Sequence, residues 1–145
     1  MSIKTSNARR VLLDARAAHS RFVNEPTDVE FRHLIVLCAT LLRAVGHVLK
    51  TENSTDEINS KKLDAYYKEN IQPQKLFSDF IKTTRDSILK EYSAHIGWAS
   101  VTDLSKKHHM EYLLKNGIFE GEDFRNLMKE SLDFWELHIA TIEKL

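Results

Sequence analysis

The sequence predicts an all-α protein that forms a single domain over residues 1–145. Its 145 residues are enough to bury one hydrophobic core. Only four glycines and two prolines are present, whereas a fold of many short strands needs frequent turn residues. Apolar residues recur every three or four positions over long stretches, which is the period of an amphipathic helix. We therefore expect four main helices in an up-down bundle, with a short helix and a small β-hairpin before the last helix.

The first two helices follow from hydrophobic spacing and from a capping signal. The first is predicted from Ala8 to about Val23. The second begins at Thr27, because Thr27 and Glu30 have the spacing of a capping box, and extends to about Lys50. It carries two apolar stripes, which indicates a central helix or a seam between subunits. The main stripe is Leu34, Leu37, Cys38, Leu41, Val45 and Leu49, and the second is Val36, Ala39, Arg43, Gly46, His47 and Lys50.

A polar loop from 52 to 59 is predicted to separate the second helix from two further helices. Asn59 or Ser60 is the expected cap of the short one. Pro73 lies in the first turn of the longer one, where its missing amide costs little. Gly97 is the expected end of that helix, since glycine favours the backbone conformation that stops a helix.

The stretch between 98 and 121 has two interpretations. Alternating apolar residues from 110 to 114 precede Asn116-Gly117, a dipeptide typical of tight hairpin turns, and this pattern favours a small hairpin. The alternative is a short helix over 104–115 that ends at the glycine. The last main helix begins near Asp123, after which the apolar residues again follow a helical period.

Charge and composition limit the classes of function. The 21 basic and 21 acidic residues balance, which argues against a broad nucleic-acid surface but permits a small basic pocket. A single cysteine, Cys38, excludes an intrachain disulfide. The longest apolar run, 34–42, is shorter than the roughly 20 residues of a membrane span, and the N-terminus lacks a signal-peptide pattern. We expect a cytoplasmic protein with no membrane segment.

Arg85 is the most informative single residue. On a helical wheel it lies about 40° from Ile81 and Leu89 and about 20° from Tyr92, on the side expected to be buried. A guanidinium in that position must reach solvent, form an ion pair or bind an anion. The ordinary alternative to a ligand is an ion pair with another helix, for instance with Glu136.

Arg43 and His47 form a second candidate site. They lie four positions apart and are therefore neighbours on one helix face. Gly46 beside them permits a close approach by a backbone or a ligand. His47 would supply an acid-base imidazole if this helix faced Arg85, and the alternative is a histidine with a purely structural hydrogen bond.

Two segments and a closing pattern resemble a known group of proteins. The segments are LLRAVGHVL at 41–49 and RDSILKEY at 85–92, and the closing pattern is GED at 121–123 followed by FWE at 134–136. They resemble a family of small uncharacterised bacterial helical proteins that is similar to the HEPN superfamily. That resemblance implies an α-helical bundle, often dimeric, that binds nucleotides or cuts RNA without a metal.

The resemblance also bears on the chemistry. Active HEPN ribonucleases carry an arginine followed by a histidine, with four to six residues between them, and in some toxins a tyrosine lies two positions after the histidine. Arg85, Asp86 and Tyr92 match this signature, but Lys90 stands where the histidine belongs. An ammonium group is a poor general base near neutral pH, so the resemblance implies binding more than cleavage.

Other site chemistry has little support in the sequence. Adjacent His108 and His109 would point in different directions and have no second ligand pair, so we expect no metal. No glycine-rich phosphate loop or nucleophile motif occurs, and we expect no cofactor.

Together these observations predict a homodimeric HEPN-like module that binds an anion, a nucleotide or RNA. One alternative is a metal-independent endoribonuclease that uses Arg85 and His47. Another is a ligand-free homodimeric interaction protein whose arginines are paired structurally. The expected cleft is lined by Arg43, His47, Arg85, Asp86, Lys90 and Tyr92.

Overall fold

The computed structural model describes residues 2–23, 28–91, 96–102 and 108–145, and most of them are helical. This confirms the all-α class. The helices are α1 (Ser6–Val23), α2 (Asp28–Glu52), α3 (Glu57–Tyr66), α4 (Lys82–Glu91) and α5 (Phe124–Ile142). Two wider turns of helix adjoin them: a first π turn, Tyr67–Ile71, follows α3, and a second π turn, Leu76–Ile81, leads into α4. The strands are β1 (Ile96–Thr102) and β2 (His108–Leu114).

Helix α2 is the central element, since it contacts α1, α3, α4 and α5. Its buried side chains include Leu34, Cys38 and Leu42, which are at most 2% exposed. The predicted main stripe of α2 was wrong at two positions, which do not lie at the centre of the buried face. Leu37 is 40% exposed and Leu41 is only half-buried, because the neighbouring helices pack against a face that is centred on Leu42 instead.

Helix α2 also meets the length and composition criteria for a membrane span. The segment from Val29 to Glu52 reaches a mean hydropathy of 1.6, and 44% of its most apolar window is buried. The central helix of a compact domain meets the same criteria, so this property is weak evidence for a membrane segment.

Helices α1 and α5 pack against α2 and against each other. The apolar face of α1, with Leu12 and Phe22, packs against both α2 and α5. On α5, Trp135 is fully buried, and its indole Nε1 donates a hydrogen bond of 2.8 Å to the carbonyl oxygen of Leu42. Burial of one large side chain of this type contributes several kcal/mol, about 3–5 by comparison with truncation to alanine.

Helix α3 begins earlier than the sequence predicted. Its cap is Asp56, whose carboxylate accepts a 3.0 Å hydrogen bond from the amide of Asn59. Asn59 is buried, and its side-chain amide donates to the carbonyl oxygen of Ser2. The predicted caps, Asn59 and Ser60, are therefore both inside the helix, because a nearby aspartate satisfies the free amides first.

Helix α4 buries a face that includes Phe80, Ile81, Thr84 and Ile88 along the second π turn and the helix itself. It is helical to Glu91, and Gly97 is the second residue of β1. The prediction that Gly97 ends this helix was therefore wrong. A glycine can mark the end of a helix only if the residues just before it are helical.

The two strands are antiparallel and run in register from Ile96 opposite Leu114 to Thr102 opposite His108. Asn116-Gly117 does not join them, because it follows β2 and leads towards α5. Gly117 does adopt the positive φ, 81°, that made this dipeptide a turn signal. The alternative helix over 104–115 is excluded for residues 108–114, which are extended.

Candidate functional site

A cavity of about 290 Å³ lies between the C-terminal half of α2 and the two π turns. We call it the basic cavity. Helix α2 supplies one wall, the first π turn and the residue after it supply a second, and the second π turn with the start of α4 supplies the third. The lining residues are Arg43, Gly46, His47, Lys50, Tyr67, Gln72, Phe77, Ser78 and Lys82.

The α2 wall follows from helical spacing and from one glycine. Arg43, Gly46, His47 and Lys50 share one face because they are separated by three or four positions. A Cβ atom at Gly46 would lie 2.6 Å from the hydroxyl oxygen of Tyr67 and 3.1 Å from the Trp135 ring. Only glycine at this position therefore lets the tyrosine pack against α2 and complete the wall.

Arg43 is held at the cavity by aromatic side chains. Its Nη1 donates a 3.2 Å hydrogen bond to the Tyr67 hydroxyl, and its guanidinium carbon lies 5.2 Å from the centre of the Phe77 ring. Burial raises the pKa of Tyr67, so this hydroxyl stays protonated and the guanidinium remains uncompensated. Within the described part of the chain, the buried Nε of Arg43 has no hydrogen-bond acceptor.

Two lysines add to this positive charge. The Lys50 ammonium lies 4.1 Å from the centre of the Tyr67 ring and 3.9 Å from the carboxylate of Asp64, which is outside the cavity. Lys82, the first residue of α4, is exposed. None of the nine lining residues is a carboxylate. Arg43 and Lys82 form no salt bridge with any described carboxylate.

His47 lies at the exposed side of the cavity, and its pKa is lowered. Desolvation is the largest cause, followed by the positive charges of Arg43, Arg85 and Lys50, while Asp86 opposes the shift. An imidazole whose pKa lies below the ordinary value of 6.5 is mostly neutral at neutral pH. It can therefore donate one hydrogen bond and accept another there.

Arg85 occupies a different position from the one expected. Its side chain is 36% exposed, it pairs at 3.4 Å with Asp86, and it does not line the basic cavity. The buried side of α4 is centred on Thr84 and Ile88, which places Arg85 at the edge, next to Leu89, itself 65% exposed. Arg85 is still near enough to act electrostatically on His47.

The remaining expected site residues are less central. Lys90 is exposed in the last turn of α4 and does not line the cavity. Tyr92 lies outside the described residues. Glu136, a suggested partner of Arg85, instead pairs with Arg9 and Arg16 of α1.

Sequence reasoning missed Lys82, Tyr67 and Gln72 as lining residues. A signal existed for Lys82, which precedes Arg85 by three positions and shares its side of the helix. No comparable signal existed for Tyr67 and Gln72, because they are brought to the cavity by the first π turn, which begins at Tyr67 and ends just before Gln72.

A metal site is not evident in the described ranges, where no three His, Cys, Asp or Glu side chains cluster suitably for an ion. Comparison of the chain with protein-family models, with curated proteins and with solved structures found no match. The interpretation of the site therefore depends on its own geometry.

Proposed function

We propose that this protein is an anion-binding module and that the basic cavity is its ligand site. The observation that carries the proposal is the convergence of Arg43, Lys50 and Lys82 on one cavity with no lining carboxylate. The whole chain is electrically balanced, so this local excess of positive charge is a property of the site. A concave site lined by one sign of charge attracts ions of the opposite sign.

The hydrogen-bonding state of Arg43 supports the same proposal. A buried donor without an acceptor costs about 1–3 kcal/mol, and the Nε of Arg43 is such a donor. Its Nη1 is held by Tyr67 and its planar face lies near Phe77, so the group is already oriented before any ligand arrives. An anion in the cavity would offer acceptors to the part of the guanidinium that lines it.

Calorimetric titration with inorganic phosphate and sulfate tests the proposal. Lys82→Gln should weaken binding by about tenfold, equivalent to about 1.4 kcal/mol, because it removes an exposed cavity charge without disturbing the core. Lys75→Gln is the matched control, since Lys75 is exposed just before the second π turn and does not line the cavity. Binding should also weaken as salt rises from about 0.05 M to about 0.5 M.

Two results would refute the proposal. One is the absence of any binding of either anion by the wild type at low salt. The other is an equal loss of affinity in Lys82→Gln and Lys75→Gln, which would locate binding on the general surface.

A metal-independent endoribonuclease is the second candidate, favoured by the influence of Arg85 on the pKa of His47. In this role His47 acts as the acid or base and Arg85 holds the scissile phosphate. The pairing of Arg85 with Asp86 ranks it below simple binding. Cleavage of a short RNA in the presence of a chelator, abolished by His47→Gln, would reverse this ranking.

We also propose a HEPN-like relationship, which would imply a nucleotide or RNA as the alternative ligand. We further propose an up-down arrangement of the main helices, supported by the contacts of α1 with α2 and α5. A hairpin formed by β1 and β2 is also proposed, supported by the register of the two strands. The proposal also places the protein in the cytoplasm.

We further propose a homodimer, supported by exposed apolar side chains such as Leu13, Val29 and Leu37. Analytical ultracentrifugation at high micromolar concentration tests this, and a monomer would contradict it. A ligand-free dimer is less favoured, because that alternative expects carboxylates to pair with both Arg43 and Arg85, and only Arg85 has such a partner among the described residues.

A further inference from the structure

We infer that the ligand of the basic cavity is a small phosphomonoester with a polar remainder, of the sugar-phosphate class. This inference rests on the proposed anion-binding function and narrows it. It separates the ligand from two others that the same positive charge would attract, namely an internal phosphodiester of RNA and a nucleotide recognised through its base.

The charge of the cavity favours a dianion. Arg43, Lys50 and Lys82 converge without a lining carboxylate, and the neutral His47 imidazole can donate one further hydrogen bond. A phosphomonoester carries about −1.5 to −2 at pH 7, whereas a diester carries one negative charge. Each cation of the cavity attracts both negative charges of a monoester phosphate, so the electrostatic attraction is stronger for the monoester than for the diester at every contact.

The size and walls of the cavity favour a ligand with one substituent. Its volume is about 290 Å³, at the lower end of the range of small-molecule sites. At Gly46 the wall is closed by Tyr67 and Trp135, which lie so close that even a Cβ atom would not fit. A monoester phosphate can be inserted with its single substituent directed outwards, whereas a diester must continue in two directions.

The aromatic side chains of the cavity offer no platform for a base. Tyr67 and Phe77 are each only 3% exposed. The Lys50 ammonium lies over the Tyr67 ring, the Arg43 guanidinium lies over the Phe77 ring, and Phe77 packs edge-on against Trp135. Recognition of a base by stacking needs an open ring face.

The cavity instead offers polar side chains that can form hydrogen bonds with the rest of the ligand. Gln72, which is exposed, and Ser78, which is partly exposed, line the cavity together with the cations. Amide and hydroxyl side chains both donate and accept hydrogen bonds, which suits the hydroxyl groups of a sugar-like remainder.

Calorimetry with two matched probes tests the charge and shape argument. At pH 7.5 methyl phosphate should bind at least about tenfold more tightly than dimethyl phosphate, and Lys82→Gln should reduce this preference. Equal affinities, or tighter binding of the diester, would overturn the inference while leaving an anion site in place. If the wild type binds neither these probes nor sulfate, the proposed function fails together with the inference.

A second pair of probes tests how the cavity recognises the part of the ligand that is not phosphate. Ribose 5-phosphate and adenosine 5′-monophosphate should bind within about threefold of each other, because the base finds no ring face. Gln72→Ala should weaken the binding of ribose 5-phosphate more than it weakens the binding of methyl phosphate. A preference of about tenfold or more for the adenosine nucleotide would show base recognition and overturn the inference. So would a Gln72→Ala variant that binds ribose 5-phosphate as the wild type does.

Discussion

Two basic regions of this protein differ in how the charge of their arginines is compensated. At the seam between α1 and α5, Arg9 pairs with Glu143 and, at 3.2 Å, with Glu136. In the basic cavity, Arg43 faces a tyrosine hydroxyl and a phenylalanine ring and no carboxylate pairs with it in the described chain. The same residue type is therefore neutralised at one site and left available at the other.

The seam shows what structural pairing looks like in this chain. Arg16 lies 3.4 Å from Glu136 and 3.8 Å from Asp133, and all three side chains are at least 40% exposed. Exposed pairs of this kind contribute about 0–1 kcal/mol each. The contrast teaches that a zero net charge says little about local sites, since carboxylates pair with the arginines of the seam whereas none lines the cavity.

Substitution of Trp135 should have the largest effect, because this residue connects α5, which carries the carboxylates Asp133 and Glu136 of the seam, with the cavity wall at Gly46. Trp135→Ala should lower the free energy of unfolding by about 3–5 kcal/mol, since it removes a fully buried ring and its hydrogen bond. Urea denaturation measures this. Leu137→Ala, at a 65% exposed position on the same helix, should change it by less than about 0.5 kcal/mol. Similar losses in both variants would mean that α5 does not pack as described.

Gly46→Ala is expected to damage the cavity but not the seam. The new methyl group would meet the Tyr67 hydroxyl, so the tyrosine must move and release Arg43. We expect a loss of about 1–3 kcal/mol in stability together with loss of anion binding. Thr40→Ala, at an exposed site on the same helix, is the control. A Gly46→Ala variant with unchanged stability and affinity would show that the close contact is not needed.

Arginine substitutions test the contrast directly. Arg43→Gln should weaken sulfate binding by about tenfold, because the unpaired guanidinium is replaced by a neutral amide. Arg16→Gln should leave sulfate binding unchanged, since its charge is already balanced by Asp133 and Glu136. Calorimetry on both variants gives the answer, and a larger loss in Arg16→Gln would reverse the assignment of the two regions.

The smallest expected effect is a pH dependence of anion binding through His47. Sulfate keeps its two charges near neutral pH, so a change in affinity reports on the protein. The pKa of His47 is lowered by desolvation and by Arg43, Arg85 and Lys50, and a bound anion would raise it again. Binding then takes up a proton, and affinity should rise several-fold as the pH falls from about 8 through the bound-state pKa.

The His47→Gln variant supplies the control for this effect, because glutamine keeps a polar side chain but cannot take up a proton. Its sulfate affinity should be flat over the same pH range. A wild-type profile as flat as that of the variant would place His47 too far from the bound anion to sense its charge.

Much of the fold could be predicted from local sequence. The periods of α1, α2 and α5 are visible in the chain, because burial of one face imposes the spacing of a helix. Helix ends were less predictable. The cap at Asp56 and the strand position of Gly97 depended on which competing signal the surrounding structure satisfied.

The candidate site was partly predictable for the same reason. Arg43 and His47 lie within one helix, so their proximity follows from helix geometry alone. The partial exposure of Arg85 was not foreseen, because it depends on which face of α4 the rest of the molecule covers. Lys90 was predicted from the spacing of a motif, and it is exposed outside the cavity.

The sequence by itself determined the all-α class, the central character of α2 and the shared face of Arg43, Gly46 and His47, since these depend on periodicity and hydrophobicity along one segment. Only the tertiary structure decided that Tyr67 and Lys82 line the cavity with that face and that Asp133 and Glu136 of α5 pair with arginines of α1. The physical reason is that a cavity and its net charge arise from side chains of separate segments, and their distances are set by packing.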